Sequence, residues 1–388
     1  MTCDGQTEGG VAFETIDEIR PVGTALPRPA TAAETFSRDT VTVLGLPFDI
    51  LDLAGAVGAI RLAAFSNRRC FVSTPNLNFA MAALRDPAFR ASVLHSELSL
   101  ADGMPIVRMA RRLGLPLAER VAGATVLEAL VAHRGPPVDT YLFGGPPGVA
   151  ARAAEVLSAR PSGIRCVGHD EGGYGDIDSL GDARTIERIN ASGARFVVVS
   201  LGARKGQAWI ERHRGQLAAP VVSHLGAALN FVAGTVKRAP PWMQSAGLEW
   251  AWRVREEPAL WRRYADDGAM VMRLALERGL WRAGSGAPSD DGTAATLDLE
   301  GDGSRLRLAG AWTRGRLASL RDALVALDRS VRRARLDVAA VTAADASFVA
   351  LLQLATGRWG PGSVNVERAG PAVERLFRVA LADDWLAA

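Results

Sequence analysis

Three polar side chains stand directly after short apolar runs in the first third of this 388-residue chain. Thr74 and Asn76 follow the run that begins at Cys70, and Asp102 follows the run Glu97–Ala101. If those runs are parallel strands, the three residues lie beyond the carboxyl ends, where open α/β sheets hold their ligands. A carboxylate in such a crevice can accept the proton of an attacking hydroxyl. Asp102-Gly103 is also an ordinary turn pair, so its sequence alone leaves both roles open. Arg120 lies a short distance on, just before Gly123. A guanidinium there can clamp a diphosphate through two parallel hydrogen bonds, or form a surface ion pair. Gly144-Gly145-Pro146-Pro147-Gly148 sits between an apolar run and a helical stretch, where backbone N–H groups can approach a phosphate. It fits neither GxGxxG nor a Walker loop.

Other chemistries find less support. The five histidines (His95, His133, His169, His213 and His224) have no metal-ligand spacing, and Cys3, Cys70 and Cys166 form no CxxC pair. No GxSxG elbow occurs. Asp176-Ile177-Asp178 is formally a DxD, but it follows the Gly-rich turn GGYG instead of ending a strand, which favours a solvated loop. The expectation is a protein without metal or organic cofactor.

Residues 235–282 hold Trp242, Trp250, Trp252, Trp261 and Trp281, interleaved with arginines that include Arg238, Arg253, Arg255, Arg262 and Arg263. Trp beside Arg suits a surface that meets anionic groups and an apolar phase together. A helical cap that packs its tryptophans on the core would carry the same composition.

The elements that must position these residues follow from the pattern of apolar runs. VTVLGL, CFVSTPN, ELSL, YLFGG, GIRCVG, RFVVVSLG and PVVSHLG are spaced by amphipathic stretches such as VAARAAEVLSAR. That alternation predicts an α/β domain, a largely parallel Rossmann-like sheet with helices on both faces. It is expected over residues 41–282, with 235–282 as a helical Trp/Arg-rich appendage. Residues 1–40 carry seven acids against three arginines, three prolines and no period, and are expected to be a disordered leader. Residues 283–293 read as a Gly/Ser/Asp linker, and 294–388 as a second, smaller α/β domain.

Composition narrows the classes. Apolar residues make up 48% of the chain, enough for a real core. The formal charge is only +3, and all but two of the 45 basic residues are arginine (the lysines are Lys205 and Lys237). Such a uniform bias says little about nucleic acid, and no nucleic-acid motif occurs, so that class is disfavoured. No run approaches the ~20 apolar residues of a membrane span, and the N-terminal layout is not that of a signal peptide. The expected location is cytoplasmic, with peripheral contact to the inner face of the cell membrane.

Taken in order, TPNLN, ADGMPIV, ERVAG, LFGG-PPGV, GGYG, SLGARKGQAWI, KRAP and GLEWAWRVREEP…WRRY resemble the WecG/TagA/CpsF glycosyltransferases (glycosyltransferase family 26) from about Val41 to Leu280. The resemblance implies an inverting enzyme that moves a sugar, often N-acetylmannosamine, from a UDP-sugar to a polyprenyl-diphosphate-linked sugar in cell-surface or exopolysaccharide synthesis. It implies Asp102 as base, with Thr74 and Asn76 lining the same pocket. Arg120 would lie near the diphosphate and Tyr174 near the nucleotide. Gly144, Gly145, Gly202, Gln207, Arg238, Arg253, Arg262 and Arg263 would contribute to substrate binding, and Trp250 and Trp252 to membrane contact. The sequence departs from the family pattern G-x-P-K-Q-E-x-W, which here reads Gly202-Ala203-Arg204-Lys205-Gly206-Gln207-Ala208-Trp209, and has Asn230 where many relatives have Asp. A catalytically degenerate scaffold is the alternative these departures raise.

The tail resembles a STAS domain through its LxLxG opening, the run LDVAAV, Asp345-Ala346-Ser347-Phe348 and GPAVERLF. That likeness implies a partner-docking module. Ala346 occupies the position phosphorylated in regulatory members, which leaves Ser347 as the candidate phosphosite.

Overall fold

The structure, a computed structural model, describes residues 26–159, 161–172, 177–245, 247–278, 293–300 and 304–385. The strands are β1 (Thr40–Val43), β2 (Leu46–Asp49), β3 (Cys70–Ser73), β4 (Leu98–Ser99), β5 (Val138–Gly144), β6 (Ile164–Asp170), β7 (Phe196–Ser200), β8 (Val221–His224), β9 (Thr296–Glu300), β10 (Arg305–Trp312), β11 (Ala334–Ala344) and β12 (Val364–Ala369). Six of them form one parallel sheet in the order β4-β3-β8-β7-β5-β6.

Burial on both faces explains the sequence of its central strands. β7 reads FVVVS and every residue is buried, the β-branched run expected where helices cover both sides. Its side chains alternate between two cores. Phe196 and Val198 pack with Ile60, Leu127 and Leu142. Val197 and Val199 join Phe71, Phe143 and Trp209, whose indole stacks on Phe143 at 4.6 Å. The α/β expectation holds for this sheet.

VTVLGL is not a strand of it. Residues 40–49 turn back as an antiparallel hairpin, with Val43 opposite Leu46 across Leu44-Gly45. Both turn residues have positive φ (50° and 79°), as a two-residue hairpin turn demands. Leu44 hid the turn, because a leucine there gives no sequence signal.

The second domain is a sheet ordered β12-β11-β10-β9, with β9 antiparallel to its neighbour and the rest parallel. Helices Ala318–Asp328, Ala346–Trp359 and Pro371–Ala380 pack on it, burying Trp312, Leu324, Phe348 and Phe377.

Residues 26–40 are not a leader. Ala32–Phe36 is a helix whose Thr31 side chain accepts the Glu34 N–H while Glu34 reaches back to the Thr31 N–H, a capping box. Phe36 is fully buried in the core of the second domain, edge-on to Trp359 at 5.7 Å. A five-residue helix is too short to show a period, but Thr31-Ala-Ala-Glu34 was a legible start signal. Residues 1–25, and the linker apart from Thr293, lie outside the described residues.

The two domains meet on a broad surface. The hairpin and the helix Pro87–Leu94 lie against Ala346–Trp359. Gln353, itself fully buried, donates Nε2–H to the Gly45 carbonyl at 2.9 Å. Gly357 packs so closely that a β-carbon there would overlap the Leu94 carbonyl. Arg314 Nε donates to Asp39 at 2.8 Å and Arg358 NH1 to the Ala30 carbonyl at 2.8 Å. The candidate phosphosite is lost in this packing. Ser347 is 3% exposed, and its N–H and that of Phe348 bond to Asp345, which caps the helix. A phosphate on Ser347 would be buried away from solvent, a costly place for its charge.

Candidate active site

The carboxyl ends of β3, β4 and β8 gather the sequence-predicted residues Thr74, Asn76 and Asp102. Asp102 N–H donates to the Pro75 carbonyl at 3.0 Å, tying the β3 and β4 loops together. Gly103 follows with φ 130° and stands against Asn76. Thr74 is buried beside Gly123, where a β-carbon would press on Leu225 at 3.1 Å and Thr74 Oγ1 at 3.4 Å. Asn76 caps the helix Leu77–Arg85, its Oδ1 accepting the Phe79 N–H at 3.2 Å.

Asp102 keeps a partly open face to solvent but is otherwise enclosed. Burial pushes its carboxyl up to about 6, and Glu249 pushes the same way, against the pull of Arg120, the Gly123 N–H and Arg253. It is therefore a carboxylate poised near neutrality, the range in which a general base works well. Arg120 pairs with Glu249 and lies 3.5 Å from Gln244 Oε1, so two residues of the Trp/Arg region reach over the crevice. Sequence reasoning singled out the arginines of that region and passed over Glu249, although it sits inside the quoted run GLEWAWR.

Around the same rim, Gly144 ends β5 and Gly145 follows it, with φ of 92° and 95°. A side chain on Gly144 would meet the Ser200 carbonyl at 2.9 Å. The Gly148 N–H donates to Glu171 Oε1 at 2.6 Å, so a carboxylate already takes the donor a phosphate would seek. Gly202 precedes the helix Ala203–His213 at the end of β7, with open space around it. Tyr174 lies outside the described residues.

Gln207 lies beneath the crevice, not on its wall. It is 1% exposed and donates Nε2–H to Ser73 Oγ at 2.9 Å, which also accepts from Ser96 at 2.8 Å. One turn of helix from Gly202 points inward, which the motif alone could not reveal. Gly206 has its own reason. A β-carbon there would overlap the ring of His224, which ends β8 and donates Nε2–H to the Leu201 carbonyl. Burial holds His224 below its usual pKa, keeping it neutral.

Among the described residues the appendage forms helices Pro241–Ser245, Glu249–Glu256 and Leu260–Arg278. The last is anchored by Asp267, 2% exposed, which accepts Asn78 Nδ2–H at 3.1 Å. Arg253 lies near enough to act on Asp102 and stands over Phe231 at 5.9 Å. Arg238 pairs with Glu128 and donates to Thr125 Oγ1 at 2.6 Å. Arg263 faces Asp267 from beside Tyr264, while Arg262 lies over Trp261 on the outer side. Trp252 is tied inward, its indole N–H on the Lys237 carbonyl at 3.0 Å and Arg255 over its ring. Among the described residues the exposed tryptophans are Trp242, Trp250 and Trp261, and Trp281 lies outside them.

Among the described residues no three His, Cys, Asp or Glu side chains cluster as metal ligands, and no helix is long and apolar enough to cross a membrane.

Residues 41–284 match the Glycosyl transferase WecG/TagA/CpsF family, and residues 295–387 match the Mlab, STAS domain. The chain is similar to N-acetylglucosaminyldiphosphoundecaprenol N-acetyl-beta-D-mannosaminyltransferase of Bacillus spizizenii, 28% identical over 198 residues, 51% of this chain and 75% of the relative. It is also similar to the protein of the same name from Staphylococcus aureus, 27% identical over 227 residues, 58% of this chain and 87% of the relative.

Proposed function

From a chain that belongs to the WecG/TagA/CpsF glycosyltransferase family, we propose an inverting transfer of an N-acetylmannosamine-type sugar from a UDP-sugar to a polyprenyl-diphosphate-linked acceptor. The observation that carries this reading is the enclosed Asp102 with Arg120 beside it. Asp102 takes the acceptor hydroxyl's proton as that oxygen attacks the anomeric carbon. Arg120 meets the charge that develops on the departing diphosphate, exchanging Glu249 for phosphoryl oxygens. Thr74 and Asn76 line the pocket. The relatives' names, which specify an N-acetylglucosamine-diphosphoundecaprenol acceptor, support the substrate class.

The test is UDP release from a panel of UDP-sugars with a polyprenyl-diphosphate N-acetylglucosamine acceptor. Release that needs both substrates supports the reading; tight UDP binding with no turnover across the panel overturns it. In that assay Arg120→Ala should lower kcat by about 10²–10³-fold, the usual loss for one charge-stabilising donor. A change confined to KM would move Arg120 from the leaving group to ground-state binding.

The acceptor's lipid requires a membrane-facing surface, and the appendage offers one. Trp261, Met272 and Leu276 form an outward apolar stripe on Leu260–Arg278, with Leu276 76% exposed, and Trp242 and Trp250 add to the apolar surface of the appendage. Arg262 flanks the stripe, suited to anionic headgroups. Replacing Trp242, Trp250 and Trp261 together by Ala should cut binding to phosphatidylglycerol-containing vesicles at least tenfold in a flotation assay. Undiminished flotation would remove the appendage as anchor. The STAS domain, whose helix Ala346–Trp359 is spent on its own chain, serves the transferase in cis, and any protein partner must dock elsewhere on it.

A further inference from the structure

At the end of the sheet opposite Asp102, a cavity of about 170 Å³ opens between the two domains and the segment 26–40. Five arginines line it: Arg38, Arg68, Arg69, Arg214 and Arg358. Three have carboxylate partners, Arg38 with Asp49 at 2.7 Å, Arg214 with Glu211 at 3.3 Å and Arg358 with Asp328 at 2.6 Å. The guanidinium groups of Arg68 and Arg69 have none among the described residues, and Arg69 Nε is sealed from solvent without a hydrogen bond.

The lining carboxylates do not fill that gap. Glu34 is held by Arg28 at 2.8 Å and by Thr31. Glu97 accepts the Phe71 N–H at 2.7 Å, and burial raises its pKa, which favours the neutral acid. His95 is engaged by Glu211 at 2.8 Å. Both residues are half-buried, and a guanidinium nitrogen shut from water without a partner is costly.

We propose that this cavity is a binding site for a small phosphorylated anion, held by the spare guanidinium forks of Arg68 and Arg69 at the junction of the two domains. A phosphoryl group offers several oxygens to two forks at once, and its charge answers the excess of arginine. The volume suits orthophosphate or a phosphomonoester and excludes a folded partner. Leu354, Gly357 and Arg358 of the STAS-like domain form one wall, so the anion bridges the domains and stabilises their joined state. The proposal does not depend on the transferase reading, because Arg68 and Arg69 precede β3 and Thr74 follows it.

Thermal unfolding of the full chain tests it, with inorganic phosphate and, separately, N-acetylglucosamine 1-phosphate, each against potassium chloride at matched ionic strength. Saturating phosphate should raise Tm by about 3 °C or more above the chloride control, from mass-action linkage. The same shift with both probes marks a site for free phosphate; a larger shift with the sugar phosphate marks a phosphomonoester site. The double variant Arg68→Gln/Arg69→Gln should lose the phosphate response, while its anion-free Tm stays level or rises as like charges are removed. Arg69→Lys, which keeps the charge and loses the fork, should weaken half-saturation about tenfold. No wild-type shift beyond chloride, or an undiminished shift in both variants, would overturn the proposal.

Discussion

Asp102→Asn is expected to lower transfer by about 10²–10⁴-fold, the usual worth of a positioned general base. The amide is nearly isosteric and can still accept the Gly123 N–H that reaches the carboxylate. What it cannot do is take a proton. The pH dependence carries the same signature. Burial pushes the Asp102 carboxyl up to about 6, and only the ionised form is a base. The rate should therefore fall about tenfold per pH unit below 6 and level off above it. Stability should move the other way. A carboxyl whose pKa is higher folded than unfolded binds its proton more tightly in the native state. Its contribution to stability is present below the unfolded value, near 4, and is lost as pH rises through about 6. At neutral pH the wild type therefore holds an ionised group in a place that disfavours it, and the variant should melt no lower than wild type. Steady-state kinetics and melting of the same two proteins decide the matter. Lost activity with a markedly lowered Tm would make Asp102 a structural residue instead.

How far the sequence discloses this molecule depends on whether a residue's surroundings come from its own neighbours or from distant chain. CFVST, ELSLA and FVVVS are continuous β-rich apolar runs, and such runs are buried strands wherever helices alternate with them. Their carboxyl ends were therefore legible, and with them Thr74, Asn76 and Asp102. The pairing of Arg120 with Glu249 spans 129 positions and has no local signal. Gln207 and Trp252 were misplaced for a related reason. Each belongs to a recognisable run, but which way it points is set by Ser73 in one case and the Lys237 carbonyl in the other. Ser347 looked like a surface site because it begins a helix, yet that helix end is covered by the hairpin of the other domain. The family pattern's lost Gln at Gly206 reads as degeneration until His224 is seen to occupy the space.

The segment before Thr40 offers the sharpest test of how the chain is assembled. Phe36→Ala should cost about 3–5 kcal/mol, as expected for emptying a fully buried phenylalanine site. Phe36 is 0% exposed and fills the STAS-like core beside Trp359 and the helix Ala318–Asp328. A residue of a solvated leader would instead fall within about 0.5 kcal/mol of wild type. Thr31→Ala provides the graded control, since losing the capping box should cost about 1 kcal/mol without making a cavity. Urea unfolding followed through tryptophan fluorescence reads both, because Trp312, Trp359 and Trp385 stand in or against this core. If Phe36→Ala destabilises as predicted, the STAS-like domain is built from both ends of the chain, with the transferase sheet inserted between them. Cutting the chain at residue 41 would then remove core from the C-terminal domain and loosen the surface it shares with the hairpin. A fragment beginning at residue 294 would lack Phe36 and should unfold more readily than the same domain within the full chain. Equal stability of that fragment would mean that Phe36 merely rests on a core complete without it.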